Sequence, residues 1–147
     1  MNYRLAGTGD LAVLAELNAQ LIEDTRHRSS LTVEELKPLI VAWLGQGYRA
    51  VLFELNRGIV AYALYRVEDS YRPGEPTVYL KQFFVRREYR RRGIGRRAFA
   101  LLEEEIWPPG CRITADVLVH NTTARRFWKS IGFHDYAVIL EKCTAAG

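Results

Sequence analysis

Apolar residues recur at intervals of three and four positions in two segments near the start of the chain. This spacing places them on one side of a helix, so it predicts two early helices. Asp10 precedes the first helix, and Thr32 precedes the second with Glu35 three positions later, a combination typical of a capping box. The apolar positions are Leu11, Leu14, Leu17, Leu21 and Ile22 in the first helix and Leu36, Leu39, Ile40, Trp43 and Leu44 in the second.

Runs rich in β-branched and aromatic residues predict the strands. A short strand around "NYRLA" opens the chain, and "YRAVLFEL" and "GIVAYALYRVED" follow the two helices. Asn56, Arg57 and Gly58 lie between these two runs and predict a hairpin turn. The stretch "SYRPGEP" supplies Pro and Gly for a second turn before "TVYLKQFFV". Three antiparallel strands in succession are therefore expected.

The rest of the chain alternates helical and extended patterns. A helix is predicted from Ile94 to the "PPG" that ends at Gly110, and a strand is predicted in "CRITADVLV". The segment "TTARRFWKSIGF" predicts a helix ended by Gly132, and "HDYAVILEK" predicts a last strand. The predicted order is β-α-α-β-β-β-α-β-α-β. This order indicates one α/β domain over residues 1–147 with a mixed, mostly antiparallel central sheet.

Length and composition agree with one globular domain. The chain has 147 residues, of which 48% are hydrophobic and 26% are charged. No apolar stretch approaches the roughly 18 to 20 residues of a membrane helix, and the first residues do not resemble a signal peptide. We therefore expect a cytoplasmic protein without a membrane partner. Cys111 and Cys143 lack the spacing of metal ligands, so no metal is predicted.

The net charge of +4 is concentrated in one short segment. Residues 86–97 contain seven arginines and one glutamate, whereas the rest of the chain has 14 basic and 16 acidic residues. Proteins that bind nucleic acid usually spread basic residues over a whole face. A single focus of charge favours one compact anion, so a nucleic-acid partner is not expected.

Two glycines mark the point where a predicted strand gives way to a predicted helix. Gly93 and Gly95 in "RRRGIG" let a ligand approach the backbone closely, and the first N–H groups of a helix have no partner within it. Such a junction binds phosphate groups readily. The same residues are also compatible with a tight turn flanked by solvated arginines.

The spacing Arg90-x-x-Gly93-x-Gly95 between a strand and an amphipathic helix resembles the acyl-CoA loop of the GNAT superfamily of N-acetyltransferases. The predicted element order agrees with that family, so the resemblance covers nearly the whole chain. The block "VLVHNTTARRFWKSIGF" resembles a later motif of the family through Asn121, Ala124, Phe127, Trp128, Gly132 and Phe133.

The resemblance implies an enzyme that moves an acetyl group from acetyl-CoA to a primary amine of a small molecule or peptide, by direct attack in a ternary complex. Loop N–H groups would hold the pyrophosphate, arginine side chains the 3′-phosphate, and the backbone of the fourth strand the pantetheine arm. The residues implied to bind the cofactor are Phe83, Phe84, Val85, Arg90, Arg91, Arg92, Gly93, Ile94, Gly95, Arg96, Asn121, Phe127 and Trp128.

Departures from the family pattern leave the catalytic groups open. Lys81 and Gln82 stand where many members carry a carboxylate, and Trp128 stands where many carry a tyrosine. Gln82 can orient a water but cannot accept a proton at neutral pH. Asn121 can bond the pantetheine arm or a water, or it can cap the helix that follows. Tyr136, expected on the last strand, is either the acid beside the leaving sulfur or a half-exposed residue of the sheet.

The acceptor side is the least defined part of the predicted site. Glu23, Asp24 and His27 lie in "IEDTRHRSS", a segment that often forms the acceptor side in this family. Acids there can attract an ammonium, or they can simply be solvated. Aromatic residues on the central strands favour a cationic amine, although alternation sends about half of them to the other face. These aromatic residues are Tyr62, Tyr65, Tyr79, Phe83 and Phe84.

A second hypothesis is a protein that binds CoA but transfers the acetyl group weakly or not at all. The two departures are compatible with a CoA-binding module of the same fold with weak or lost catalysis. A homodimer is compatible with the resemblance, because many relatives pair, but the sequence does not specify the oligomeric state.

Overall fold

The central sheet has five strands that lie side by side in the order in which they occur along the chain. The first four strands pair antiparallel, and the fifth pairs parallel with the fourth. The computed structural model describes residues 1–25, 31–68 and 72–146, and the predicted mixed, mostly antiparallel sheet is confirmed. The strands are β1 (Asn2–Leu5), β2 (Arg49–Leu55), β3 (Gly58–Glu68), β4 (Thr77–Val85) and β5 (Arg112–Ala115).

The described residues form four α-helices, at the positions that the hydrophobic periodicity predicts. The predicted capping box begins the second helix, where the N–H of Glu35 donates to Thr32 Oγ1 and the N–H of Thr32 donates to Glu35 Oε1, each at 3.2 Å. No helix in the described ranges is long and apolar enough to cross a membrane. The helices are α1 (Leu11–Thr25), α2 (Val33–Gly45), α3 (Ile94–Leu101), which continues into a π-helical turn at Leu102–Ile106, and α4 (Thr122–Ser130).

Apolar side chains pack on both faces of the sheet. On one side, α1 and α2 pack their apolar stripes on side chains of β2, β3 and β4. On the other side, Trp107 packs edge-on against Tyr65 and Phe99, with ring centroids 5.7 and 5.4 Å apart. The buried cluster under α1 and α2 contains Leu14, Ala15, Leu17, Leu36, Ile40, Tyr48, Ala50, Leu52, Tyr62, Leu64 and Phe84.

Strand β4 carries a bulge and loses its outer partner partway along. Leu64 of β3 pairs with Gln82 and Tyr65 pairs with Leu80, so Lys81 is an extra residue without a partner on β3. On the other edge, β5 pairs only with the first part of β4, from Thr77 to Leu80. Within the described residues, the second half of β4 therefore has an open backbone edge.

The chain divides into two compact units, Met1–Asp116 and Val117–Gly147. The second unit contains α4 and an extended C-terminal segment. The prediction of a last strand over residues 134–142 is wrong, because the described residues after Gly132 form neither helix nor strand. The predicted strand in "CRITADVLV" is also shorter than expected and ends at Ala115. A strand requires a paired neighbour as well as a suitable pattern, and no sheet partner is found for residues 134–142 in the described part of the chain. The single-domain organisation stays a prediction.

The capping box allows a test of how strongly α2 is held. Replacing Thr32 by Ala removes the side-chain acceptor for the N–H of Glu35, so we expect the free energy of unfolding to fall by about 1 kcal/mol. Chemical denaturation followed by circular dichroism measures this loss. Thr32→Ser keeps the acceptor and serves as the control. A Thr32→Ala protein as stable as the Ser variant would show that the box does not stabilise α2.

Candidate active site

The loop that follows β4 has an unusual backbone. After Val85 the chain makes a short 3-10 turn at Arg87–Tyr89 and then enters α3 through Gly93. Arg91 and Gly93 both have positive φ values, 62° and 72°. Glycine adopts this conformation without strain, whereas in an arginine the Cβ atom makes close contacts with the backbone. The conformation of Arg91 is therefore strained and has to be stabilised by the rest of the loop.

The backbone N–H groups of this loop are available to a ligand. Within the described residues, no acceptor is found for the amides from Arg91 to Gly95, and the carbonyl of Gly93 accepts the N–H of Arg97 at 3.1 Å to start the helix. The amides therefore lie at the positive end of the α3 dipole. A Cβ atom placed on Gly93 would have no other atom within 4 Å. The structure thus provides an open, amide-rich end of a helix, which is the geometry that binds a phosphate group.

Arg90, the first residue of the motif, is held by the protein itself. Its Nε donates to the carbonyl of Val85 at 3.0 Å, its Nη2 lies 2.7 Å from Asp24 Oδ2, and its guanidinium stands 5.3 Å from the centre of the Phe84 ring. Arg87 donates to the other oxygen of Asp24 at 2.8 Å. Asp24 at the end of α1 therefore joins both arginines, and we name Asp24, Arg87 and Arg90 the arginine clasp.

The clasp keeps the Asp24 carboxylate ionised. Burial opposes ionisation, but hydrogen bonds from Arg90 and Arg87, together with their charges, outweigh burial and lower the pKa of Asp24. A lowered carboxyl pKa stabilises the fold at neutral pH, and this stabilisation is lost as the pH falls through the lowered value, below about 3.9. Asp24 is therefore neither a solvated acid nor a free anion for a substrate.

Five of the seven arginines of residues 86–97 form two groups. Arg86 donates to the carbonyl of Ile59 at 2.7 Å, so Arg86 joins Arg87 and Arg90 as a structural tie. Arg91 and Arg92 are exposed, and the guanidinium of Arg92 stands 5.6 Å from the ring of Tyr89. The local excess of positive charge thus has a part that holds the loop and a part that faces outward from it.

Half-buried Gln82 belongs to a chain of polar groups, with the buried Tyr62 and Asn18, that the sequence did not predict. Tyr62 Oη donates to Gln82 Oε1 at 2.8 Å, and Gln82 Nε2 donates to Asn18 Oδ1 at 3.3 Å. Burial raises the pKa of Tyr62, so this hydroxyl stays protonated. Asn18 is 1% exposed, and its Nδ2 has no acceptor among the described residues. The sequence signal for this site was a polar residue four positions after Leu14, within the apolar stripe of α1.

The bulge brings Lys81 to the same side of the sheet as Gln82. The ammonium of Lys81 stands 4.9 Å from the ring centre of Trp43 on α2 and 5.5 Å from that of Tyr48. Normal alternation sends neighbouring side chains to opposite faces, and the extra residue removes that separation. Adjacent residues of β4 therefore present an amide and an ammonium to the side covered by α1 and α2.

A second polar group lies near these aromatic rings. Tyr79 Oη donates to Asp116 Oδ2 at 2.8 Å, and burial together with this hydrogen bond raises the pKa of Tyr79. The ring of Tyr79 stands edge-on to Tyr48 at 6.4 Å. The side chain of Asp116, the last residue of the first unit, thus has a defined partner.

The predicted aromatic residues do not share one face. Tyr62, Tyr79 and Phe84 pack on the side of α1 and α2, whereas Tyr65 contacts Trp107, and Phe83 stands edge-on to Phe99 at 6.4 Å. Tyr62 and Phe84 are also fully buried. The expected division by alternation is confirmed, so only some of these aromatic rings lie on the side of α1 and α2.

The second unit holds the remaining predicted residues. Asn121 Oδ1 accepts the N–H of Ala124 at 3.1 Å, so its side chain caps α4, as one of the two hypotheses for this residue states. Trp128 packs edge-on between Phe127 and Phe133, with centroids 5.0 and 5.1 Å away. Tyr136 is 75% exposed and belongs to no strand.

The structure describes two of the three residues predicted for the acceptor side, and their role in binding the acceptor stays a prediction. Glu23 is exposed at the end of α1, and Asp24 is engaged in the arginine clasp. His27 lies outside the described residues. In the described part of the chain, no group of three His, Cys, Asp or Glu side chains has the arrangement of a metal site.

The fold has many known counterparts. A protein from Clostridium difficile 630 described as a possible acetyltransferase is 19% identical, with a TM-score of 0.80 over 99% of this chain and 98% of that one. The aminoglycoside N-acetyltransferase AAC(6')-Iy in complex with CoA is 17% identical, with a TM-score of 0.75 over 99% and 95% of the two chains. The aminoglycoside 6'-N-acetyltransferase AAC(6')-IG from Acinetobacter haemolyticus is also 17% identical, with a TM-score of 0.71 over the whole of both chains. These similarities show the fold.

The sequence itself carries the family assignment. No curated protein sequence is significantly similar to the chain. The model of the acetyltransferase (GNAT) family, however, matches residues 15–133, which include both sequence motifs. This match confirms the predicted family and the predicted class of enzyme. The chain therefore belongs to the acetyltransferase (GNAT) family of acetyl-CoA-dependent N-acetyltransferases.

Proposed function

We propose that this protein transfers an acetyl group from acetyl-CoA to a primary amine of a small molecule or peptide, by direct attack within a ternary complex. One observation carries the proposal. The loop after β4 presents unpaired amides from Arg91 to Gly95 at the start of α3, next to an open edge of β4, in a chain of the GNAT family. A cofactor with a pyrophosphate and an amide-containing arm is complementary to both features.

The pyrophosphate of CoA would bind to the loop amides. Hydrogen bonds to a charged group contribute roughly 1.5 to 3 kcal/mol each, so four or five of them support micromolar binding after entropic costs. Arg91 and Arg92 are exposed and are our candidates for the 3′-phosphate. The guanidinium of Arg90 is held in the clasp. Arg90 would therefore support CoA binding by holding the loop in place, and not by a direct bond to a phosphate group.

The pantetheine arm would extend the sheet. The backbone from Phe83 to Val85 lies beyond the last residue of β4 that pairs with β5, so no strand within the described residues takes its hydrogen bonds on that edge, where the carbonyl of Val85 accepts Arg90 Nε instead. The amides of pantetheine can take these hydrogen bonds, as an added strand does. A backbone N–H at this edge would also polarise the thioester carbonyl as the tetrahedral transition state gains charge.

The chemistry requires a neutral amine and a leaving thiolate. The amine nitrogen attacks the thioester carbon, the C–S bond breaks, and the amine proton passes to solvent. Gln82 would orient a water on this route, since its amide is fixed by Tyr62 and Asn18 and cannot itself take the proton. A thiol with a pKa of about 8.5 is a tolerable leaving group without a dedicated acid.

Several earlier expectations stay predictions. The role of Tyr136 as an acid, and the contacts of Asn121, Phe127 and Trp128 with CoA, are untested. The same holds for the homodimer, the cytoplasmic location and the single domain, although the matched family region spans both compact units. A cationic acceptor is supported by the aminoglycoside acetyltransferases among the structural neighbours and is disfavoured by the engagement of Asp24.

Turnover separates the enzyme from a CoA-binding module. CoA release from acetyl-CoA, measured with a panel of amino acids, peptides, polyamines and aminoglycosides, should reveal at least one saturable acceptor. Mass spectrometry of the product then shows an added acetyl group on the amine. Tight CoA binding without any turnover across the panel would instead favour the module with lost catalysis.

Gly93→Val tests the loop. A β-branched side chain disfavours φ = 72°, and its methyl groups would stand where a phosphate approaches the backbone. We expect the Kd for CoA, measured by calorimetry, to rise about tenfold or more. Gly110→Val is the matched control, because Gly110 has φ = 70° with equally open surroundings and lies beyond the other end of α3. Equal CoA affinity in the two variants would refute the loop as the pyrophosphate site.

Asp24→Asn tests the arginine clasp. Loss of the carboxylate charge weakens two ion pairs that hold the loop, so we expect KM for acetyl-CoA to rise roughly threefold to tenfold while kcat changes little. Steady-state kinetics at varied acetyl-CoA measures both parameters. Asp10→Asn, which loses a comparable pair with Arg4 elsewhere in the unit, is the control. A lower KM in Asp24→Asn would mean that Asp24 competes with phosphate for the arginines.

A further inference from the structure

Lys81 carries a partly buried positive charge without an anionic partner. Its ammonium lies over the rings of Trp43 and Tyr48 at 4.9 and 5.5 Å, and no carboxylate within the described ranges forms an ion pair with it. Aromatic faces attract a cation, but they leave its net charge uncompensated. The charge of this half-buried side chain is therefore available to an anionic ligand.

The acids of the surrounding strands already have partners. Glu68 lies 2.8 Å from Arg66, whose guanidinium stands 4.5 Å from the other aromatic neighbour, Tyr48. Asp116 accepts the hydroxyl of Tyr79 at 2.8 Å. Neither of these two carboxylates therefore pairs with Lys81.

The position of Lys81 relates this charge to the proposed reaction. Lys81 is the bulge residue of β4 and directly precedes Gln82, the residue proposed to orient water. Phe83, where the open edge proposed for pantetheine begins, is only two residues away, or about 7 Å along a strand. An anion bound at Lys81 would thus lie next to the part of β4 that we propose for the pantetheine arm.

We propose that the acceptor carries an anionic group close to its amine, as an amino acid or a short peptide does, and that Lys81 binds this group. The inference rests on the proposed function, since it concerns the acceptor of that same site. It names a substrate class that neither the family nor the structural neighbours specify.

The charge of Lys81 would also exclude other acceptors. A polyamine or an aminoglycoside would bring further positive charges toward the ammonium, and the aromatic rings that attract cations are already occupied by Lys81 and Arg66. Specificity arises here both from attraction of an anion and from repulsion of polycations. The expected acceptor thus has one amine to acetylate and one anionic group to hold.

Pairs of acceptors that differ only in a carboxylate provide the test. Phenylalanine is compared with phenethylamine, ornithine with putrescine, and lysine with cadaverine, each at saturating acetyl-CoA. For at least one pair we expect kcat/KM to favour the carboxylate by about tenfold or more, the factor typical of a charge-assisted hydrogen bond. Lys81→Met keeps the length and apolar character of the side chain but removes the charge, and it should abolish this preference.

Two further variants complete the experiment. Lys81→Arg retains the charge and should retain most of the preference. Lys37→Met removes a lysine of α2 that is paired with Glu34, so it controls for the loss of one positive charge and should leave the preference unchanged. The proposal is overturned if the Lys81→Met enzyme keeps the carboxylate preference, or if the wild-type enzyme favours the member without a carboxylate in every pair.

Binding measurements distinguish the failure of this inference from the failure of the proposed function. If no amine is acetylated although CoA binds, the proposed function fails. Calorimetry on the CoA-bound protein then still decides the inference. Binding of a carboxylate-bearing amine that is lost in Lys81→Met would support it, and binding that is absent or unaffected by the substitution would refute it.

Discussion

The candidate site depends on the point where β4 loses its outer neighbour. Strand β5 pairs with β4 from Thr77 to Leu80 and no further, and the bulge at Lys81 follows at once. Backbone groups need partners, so an open edge next to an amide-rich helix start is a place where an extended ligand can complete the hydrogen bonding of the sheet. The same irregularity turns Lys81 and Gln82 to one side. A regular, fully paired β4 would offer neither the edge nor this pair of side chains.

The arginines near the loop after β4 differ in their contacts. Arg86, Arg87 and Arg90 bind carbonyl and carboxylate groups of the protein itself, and the clasp ties the end of α1 to the loop. Arg91 and Arg92 are exposed beside the unpaired amides. A loop that must hold several backbone N–H groups in fixed directions benefits from such ties, because ordering it beforehand reduces the entropic cost of binding.

Local features were the ones that the sequence predicted well. The hairpin at Asn56 and Arg57 and the capping box at Thr32 each depend on a few neighbouring residues, and both occur in the structure. The hydrogen bond between Arg87 and Asp24 joins residues 63 positions apart, so the periodicity of the sequence could not predict it. The prediction of a last strand was wrong for a related reason. Residues 134–142 have a pattern suited to a strand, but a strand forms only with a partner, and the pattern does not specify one.

The absence of a carboxylate from the middle of β4 changes what the site must do to obtain a neutral amine. In an amino acid the carboxylate itself stabilises the nearby ammonium and so resists its deprotonation. An ion pair between that carboxylate and Lys81 offsets this stabilisation, and the positive charge then lowers the pKa of the amine. In the proposed reaction Gln82, which is neutral and fixed by Tyr62 and Asn18, adds no opposing charge while it orients water. In this arrangement the group that selects the acceptor also prepares its amine for attack, so a proton acceptor weaker than a carboxylate, such as solvent water, becomes sufficient.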